Sequence, residues 1–159
     1  MAEKSNKSLD AADRKILAFL QKDGRASLAE LATHVGLSPS PCLRRVRLLE
    51  KEGIISRYVA VLDQKKVGLP VSVFVSVRLD RQRKDALEQF SKAIGRWPEV
   101  LECYLMTGPR DYLLRVVVAD VAAYEAFLKE KLTRLDALAS IESSFTLEQV
   151  KYTNVLPLL

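Results

Sequence analysis

Cations at helical spacing are the residues of this chain best suited to chemistry. Arg44, Arg45, Arg47 and Lys51 lie in one stretch, residues 39–51, entered through Ser38 and Ser40. At about 100° per residue, with Val46 centring one face, Cys42, Leu43 and Leu49 gather within about 60° of it. Ser40, Arg44, Arg47 and Lys51 fall on the far side, and Arg45 lies on the flank. Guanidinium groups on such a face bind phosphate or read guanine bidentately, and small residues at the start let the backbone approach a groove. That chemistry is recognition of a polyanion, not bond-making. Charge alone favours an ordinary solvated helix on a helical hairpin, so the neighbouring elements decide between the two.

Those elements are written just before the cations. Ser27 and Glu30 have capping-box spacing, and Leu28, Leu31, Ala32 and Val35 form one apolar helical stripe. Gly36 ends that helix with the left-handed residue a sharp turn needs, and Leu37 fills the corner. Ser38 is placed to cap the next helix, and Pro39 suits its first position, where the missing N–H has no intrahelical partner. An earlier helix, residues 10–22, is capped by Asp10 and turns Ile16, Leu17 and Leu20 inward. Cap, glycine turn and arginine face together favour a three-helix helix-turn-helix head over a plain helical hairpin. Gly53 breaks the reading helix, and residues 54–61 enter an extended segment suited to a small wing. Arg57 there is open between a phosphate contact and a solvated linker arginine.

Enzyme chemistry finds no footing. The single histidine, His34, sits on the first helix of the hairpin and reads as a surface residue. No Ser/His/Asp or Cys/His set, glycine-rich phosphate loop or metal-ligand cluster can be assembled, so no metal or cofactor is expected. Cys42 and Cys103 are far apart among apolar residues and read as core thiols. Glu50 and Glu52 read as solvated, not as a catalytic pair.

The net charge of +5 is unevenly placed: residues 1–62 hold 11 Lys/Arg against 7 Asp/Glu, and residues 63–159 hold 14 against 13. The basic excess travels with the head, as expected of a half that meets a polyanion. Hydrophobic residues make up 48% of the chain, ample for packed cores, yet no apolar run is long enough to cross a membrane and the first ten residues lack a signal-peptide core. A cytoplasmic protein with no membrane partner is expected.

Residues 63–70 (DQKKVGLP) form the one composition break. They are the expected linker between a head, residues 1–62, and a second domain, residues 71–159. Val71, Val73, Val75, Val77 and Leu79 alternate with Ser72, Phe74, Ser76 and Arg78, which predicts a half-buried strand. A helix from Arg83 to Trp97 follows, then strands over 100–107 and 112–118 about the turn Gly108-Pro109-Arg110-Asp111, a helix over 120–135 and a last strand over 143–153. The order βαββαβ implies an antiparallel ferredoxin-like sheet with both helices on one face. The fold class is α+β. The other sheet face is left bare, and Val and Leu there predict self-association.

The chain resembles the Lrp/AsnC, or feast/famine, family of transcription regulators over nearly its whole length. The resemblance rests on LSPSPCLRRVRLLEKEGII (37–55), TGPRDYLLRVVV (107–118) and SSFTLEQVKYTNVLPL (143–158). Among members it looks most like leucine-responsive and branched-chain-catabolic regulators of bacteria. The resemblance implies a winged helix-turn-helix head, a ferredoxin-like sensing domain, and dimers that assemble into tetramers or octamers. It also implies an amino-acid effector between subunits, beside Gly108, Asp111 and Tyr112. Leu105 and Thr107 before the turn, Val121 across from it, and Phe145 and Thr146 on the last strand are carried over with these. Where many relatives have Pro-Gly-Val before the last strand, this chain has Asp136-Ala137-Leu138-Ala139-Ser140. A glycine turn with exposed N–H groups suits an amino acid's carboxylate, and Asp111 suits its ammonium or fixes the turn. Tyr112 is open between ligand contact and core packing.

The expected function is sequence-specific binding of double-stranded DNA, answering to leucine or another apolar amino acid. The expected DNA contacts are Ser38, Ser40, Arg44, Arg45, Arg47, Lys51 and Arg57. The alternatives are a small enzyme or an RNA-binding module using the ferredoxin-like half. Convergent titratable residues are missing for the first, and basic and aromatic residues on 112–118 are sparse for the second.

Overall fold

A computed structural model describes residues 8–80, 84–135 and 138–158. It divides into two compact units: the described residues up to Val61 together with those from Lys151 onward, and Leu62–Val150.

The head holds three helices. Helix α1, Ala11–Leu20, is capped by Asp10, whose Oδ1 accepts the Asp13 N–H at 2.8 Å. Helix α2, Leu28–Val35, carries the reciprocal Ser27–Glu30 capping box and ends at Gly36 with φ 76°. Helix α3, Pro39–Lys51, starts after Ser38, which has cap geometry but no side-chain cap bond. The hydroxyl cap expected at Ser38 is therefore not made. Ile16, Leu17, Leu31, Ala32, Val35, Cys42 and Leu49 form the core.

Two further segments belong to the head. Residues 56–62 carry no ladder within the chain, so no wing is paired there among the described residues. Residues 151–158, read as the end of the second domain, pack with the head instead. Leu158 joins its core, and the Gln21 carboxamide brackets Leu156, accepting its N–H at 2.6 Å and donating to its carbonyl at 3.3 Å.

In the second unit, strand β1 is Val71–Leu79, helix α4 Lys84–Ile94, strands β2 and β3 Val100–Leu105 and Tyr112–Val118, helix α5 Val121–Glu130, and strand β4 Leu138–Phe145. Arg83, the expected start of α4, lies outside the described residues, as do Asp136 and Ala137. The sheet is antiparallel in the order β2-β3-β1-β4. The last strand begins five residues earlier than expected, because Leu138 pairs with Leu79 at once, and the ladder ends at Phe145 opposite Val73.

Val73, Val75, Val77 and Leu79 join Leu114, Val116, Phe90, Ile94, Tyr124 and Phe127 in one core, so both helices cover the same sheet face. Strand alternation thus sends the valines of β1 inward. The open face carries Ser72, Phe74, Ser76 and Arg78, with Arg115 opposite Phe74 on β3 and Glu142 opposite Ser76 on β4. Arg115 donates to Glu102 at 3.0 Å and to Gln64 at 3.1 Å, and Gln64 donates to Ser72 at 3.0 Å. The open face is mixed: Leu113 and Val117 of β3 lie on it, as the expected aliphatic residues, among polar side chains and the exposed rings of Phe74 and Tyr104.

Candidate nucleic-acid interface and ligand site

Helix α3 presents one outward row. Ser38, Ser40, Arg44, Arg47 and Lys51 are exposed, while Cys42 and Leu49 are buried in the head. Leu48 is exposed on the same row, one turn from Arg44 and Lys51. Sequence reading missed it, although its place four residues after an outward arginine is the signal that finds it. An apolar side chain there suits a thymine methyl group.

Arg45 does not join the row. Its Nη1 donates to Asp10 and Asp13 of the first helix, both at 2.7 Å. The flank position read from sequence is right in angle, but two acidic residues in an earlier helix claim the charge. The Asp13 N–H, and then Arg45, hold the Asp10 carboxyl below its ordinary value. Arg57 is exposed. Its neighbour Tyr58 donates to Glu50 at 3.1 Å, which fastens the segment after α3 back onto that helix. Burial, and then Glu50, raise the Tyr58 phenol.

The second candidate site begins at the β2–β3 hairpin. Gly108 has φ 107°, in the left-handed region, where a side chain is strained even though nothing crowds a Cβ. Met106 donates to the Asp111 carbonyl at 2.8 Å, Asp111 N–H to Val77 at 2.9 Å, and Leu79 N–H to Asp111 Oδ2 at 2.7 Å. Asp111 is 6% exposed, so its carboxylate is built into the turn. Tyr112 is 4% exposed, stacks on Phe90 at 4.4 Å, and its hydroxyl donates to the Leu87 carbonyl. Of its two readings, the core one holds within this chain. Leu105, Met106, Thr107 and Gly108 form the exposed tip. Arg110, which sequence reading passed over, ion-pairs with Glu142 beside it.

The other carried-over residues lie elsewhere. Tyr112 pairs with Val77 and Leu105, whereas Val118 pairs with Val71, and Phe145 with Val73. Val121 follows Val118, so Val121, Phe145 and Thr146 share the end of the sheet opposite the hairpin. At about 3.3 Å per residue, β3 separates the two groups by roughly 20 Å. Within one chain the strand register carries Val121 to the end of the sheet far from that chain's own turn. There Val121 is 63% exposed and Phe145 sets its ring edge on Tyr124 at 5.2 Å.

Among the described residues no group of His, Cys, Asp and Glu is arranged to hold a metal, and no helix is long and apolar enough to cross a membrane. Cys42 is buried, and that burial raises its thiol, whereas Cys103, expected as a core thiol, is exposed on β2. A cationic helix on a three-helix head, joined to an α+β domain with an exposed glycine hairpin, has the organisation of a DNA-binding regulator.

Comparison with known proteins places it more narrowly. Residues 9–56 match the winged helix-turn-helix DNA-binding family, and residues 72–156 the Lrp/AsnC ligand binding domain. The chain is 49% identical over 150 residues to the Bkd operon transcriptional regulator of Pseudomonas aeruginosa, covering 94% of this chain and 98% of that one. It is 44% identical over 154 residues to the leucine-responsive regulatory protein of Escherichia coli K12, covering 97% and 94%. A transcriptional regulator of Neisseria meningitidis, solved as an L-Met complex, superposes with TM-score 0.90 at 42% identity, over 94% of this chain and 97% of that chain. This chain belongs to the Lrp/AsnC family of DNA-binding transcription regulators that respond to amino acids. Its relatives are regulators, not enzymes.

Proposed function

We propose that this protein is a cytoplasmic, nucleoid-associated bacterial regulator that works as a homo-oligomer and reads DNA through Ser38, Ser40, Arg44, Arg47, Leu48, Lys51 and Arg57. Its effector is leucine or another apolar amino acid, bound between copies. The observation that carries the composite site is the roughly 20 Å between the hairpin group and the Val121–Phe145–Thr146 group, from the rise of β3. One amino acid cannot touch both in one chain, so the hairpin of one copy meets the far sheet end of another. The exposed Leu105 and Met106 suit an apolar side chain. The tip's glycine and backbone N–H groups suit a carboxylate. The names of the relatives, leucine-responsive and L-Met-bound, point to the same ligand class.

The exposed rings of Phe74 and Tyr104 on the open sheet face support a dimer, and the second contact supports tetramers or octamers. Paired heads call for a roughly palindromic operator. A thermal-shift panel of the twenty amino acids, run beside size-exclusion chromatography, tests the reading. Leucine or methionine should raise the melting temperature by mass action and charged amino acids should not. A monomer that answers to none of the twenty sinks it.

A further inference from the structure

Arg45 lies on the DNA-reading helix yet is tied to acidic residues of another element. Its Nη1 reaches Asp10 Oδ2 and Asp13 Oδ1 at 2.7 Å each. Asp10 serves twice, because its other oxygen caps α1 through the Asp13 N–H. Asp13 is only 5% exposed. Two carboxylates on one guanidinium leave the cluster with a net negative charge, and a buried carboxylate stripped of its cation is strongly disfavoured. Turning Arg45 toward a phosphate would strip Asp13 in this way.

We propose that Arg45 is a positioning residue: the Asp10–Arg45–Asp13 clamp fixes the pose of α3 against α1, and Arg45 contacts neither phosphate nor base. The clamp rests on the DNA-binding reading of α3 but assigns Arg45 a role opposite to that of Arg44 and Arg47. Each neutralised phosphate releases counterions and adds about 0.9 to the slope of log affinity against log salt. A positioning residue changes affinity without changing that slope.

The test measures binding of the full-length protein to two duplexes across a salt series. One duplex is selected in vitro against the wild-type protein, and the other has random sequence. Arg44→Ala or Arg47→Ala should lower the slope by about 0.9 per bound head. Arg45→Ala should weaken the selected duplex roughly tenfold, the scale of one lost base contact, with the slope and the random-duplex affinity unchanged. Arg45→Lys should restore part of the loss. The double variant Asp10→Asn/Asp13→Asn releases the guanidinium. It should raise the slope by about 0.9 per head and tighten random-duplex binding; it also keeps the test decisive where Arg45→Ala does not fold. A slope that falls in Arg45→Ala as it does in Arg44→Ala, or that stays flat in the double variant, overturns the clamp. A wild-type protein that binds neither duplex overturns the DNA-binding reading itself.

Discussion

The head and the second unit solve the same problem, holding a recognition surface, by opposite means. The head's outward row comes from one helix, and its spacing is set by the helical period alone. The second unit's candidate residues come from a hairpin, a helix start and a strand end, and the sheet register places them at opposite ends. A surface on one element is readable from local periodicity. A surface assembled from several elements depends on register and on a second copy.

The sharpest way to break this comparison is to damage one core and watch the other. Leu114→Ala empties a fully buried site in the second unit. It should cost about 2–5 kcal/mol. In calorimetry it should lower one transition and leave the head's in place, while Ile16→Ala should do the reverse. A single transition that moves in both variants would show that the two regions do not unfold separately.

A smaller effect sharpens the second unit's side. Asp111→Ala leaves the Leu79 N–H without its acceptor. It should cost about 1–3 kcal/mol by denaturant titration. Asp111→Asn keeps an acceptor and should lose less while still answering to leucine in a thermal-shift assay. An Asn variant of full stability with no answer would instead put the carboxylate on the ligand's ammonium.

Two serines then test the head. Ser27→Ala removes the hydroxyl half of the capping box, which accepts the Glu30 N–H, while the N–H of residue 27 still donates to Glu30; it should cost about 1 kcal/mol. Ser38→Ala removes no cap bond and should leave stability within a few tenths of a kcal/mol, while weakening duplex binding if its hydroxyl meets the DNA. Equal losses of stability at both positions would contradict the difference in capping between α2 and α3.

The smallest expected effect is on pH dependence. Asp10 is held below its ordinary value of 3.8 in the folded head. Its contribution is therefore fully present above that value and is lost as pH falls through the lowered folded value. Melting of the head followed from pH 6 to pH 3 should show this loss, and Asp10→Asn should flatten the acid limb. An unchanged acid limb in Asp10→Asn would show that Asp10 carries none of it.

Much of the head was legible because its signals are local. The Asp10 cap, the Ser27–Glu30 box, Gly36 and Pro39 each act within a few residues, and the helices begin and end where these residues stand. The face of Arg44, Arg47 and Lys51 follows from the same period. The ion pairs of Arg45 were not legible because its partners are 35 and 32 residues away. The order of strands and helices in the second unit was legible from alternation and helical spacing. Its last strand was misplaced because a strand's ends are set by its partner: the ladder to β1 fixes 138–145, and nothing in 143–153 alone marks that stop.

The amino-acid sequence by itself determined the two-part plan, the caps and turn of the reading helix, and the inward valines of β1, since each follows from backbone preferences or from the period of a single element. Tertiary structure alone decided that Arg45 is tied down and that Tyr112 is core. It also decided that Val121 stands a sheet's length from Gly108 and that the chain's end returns to Gln21. These are contacts between residues far apart in sequence, and a pairing register shifted by one position moves every side chain to the other face.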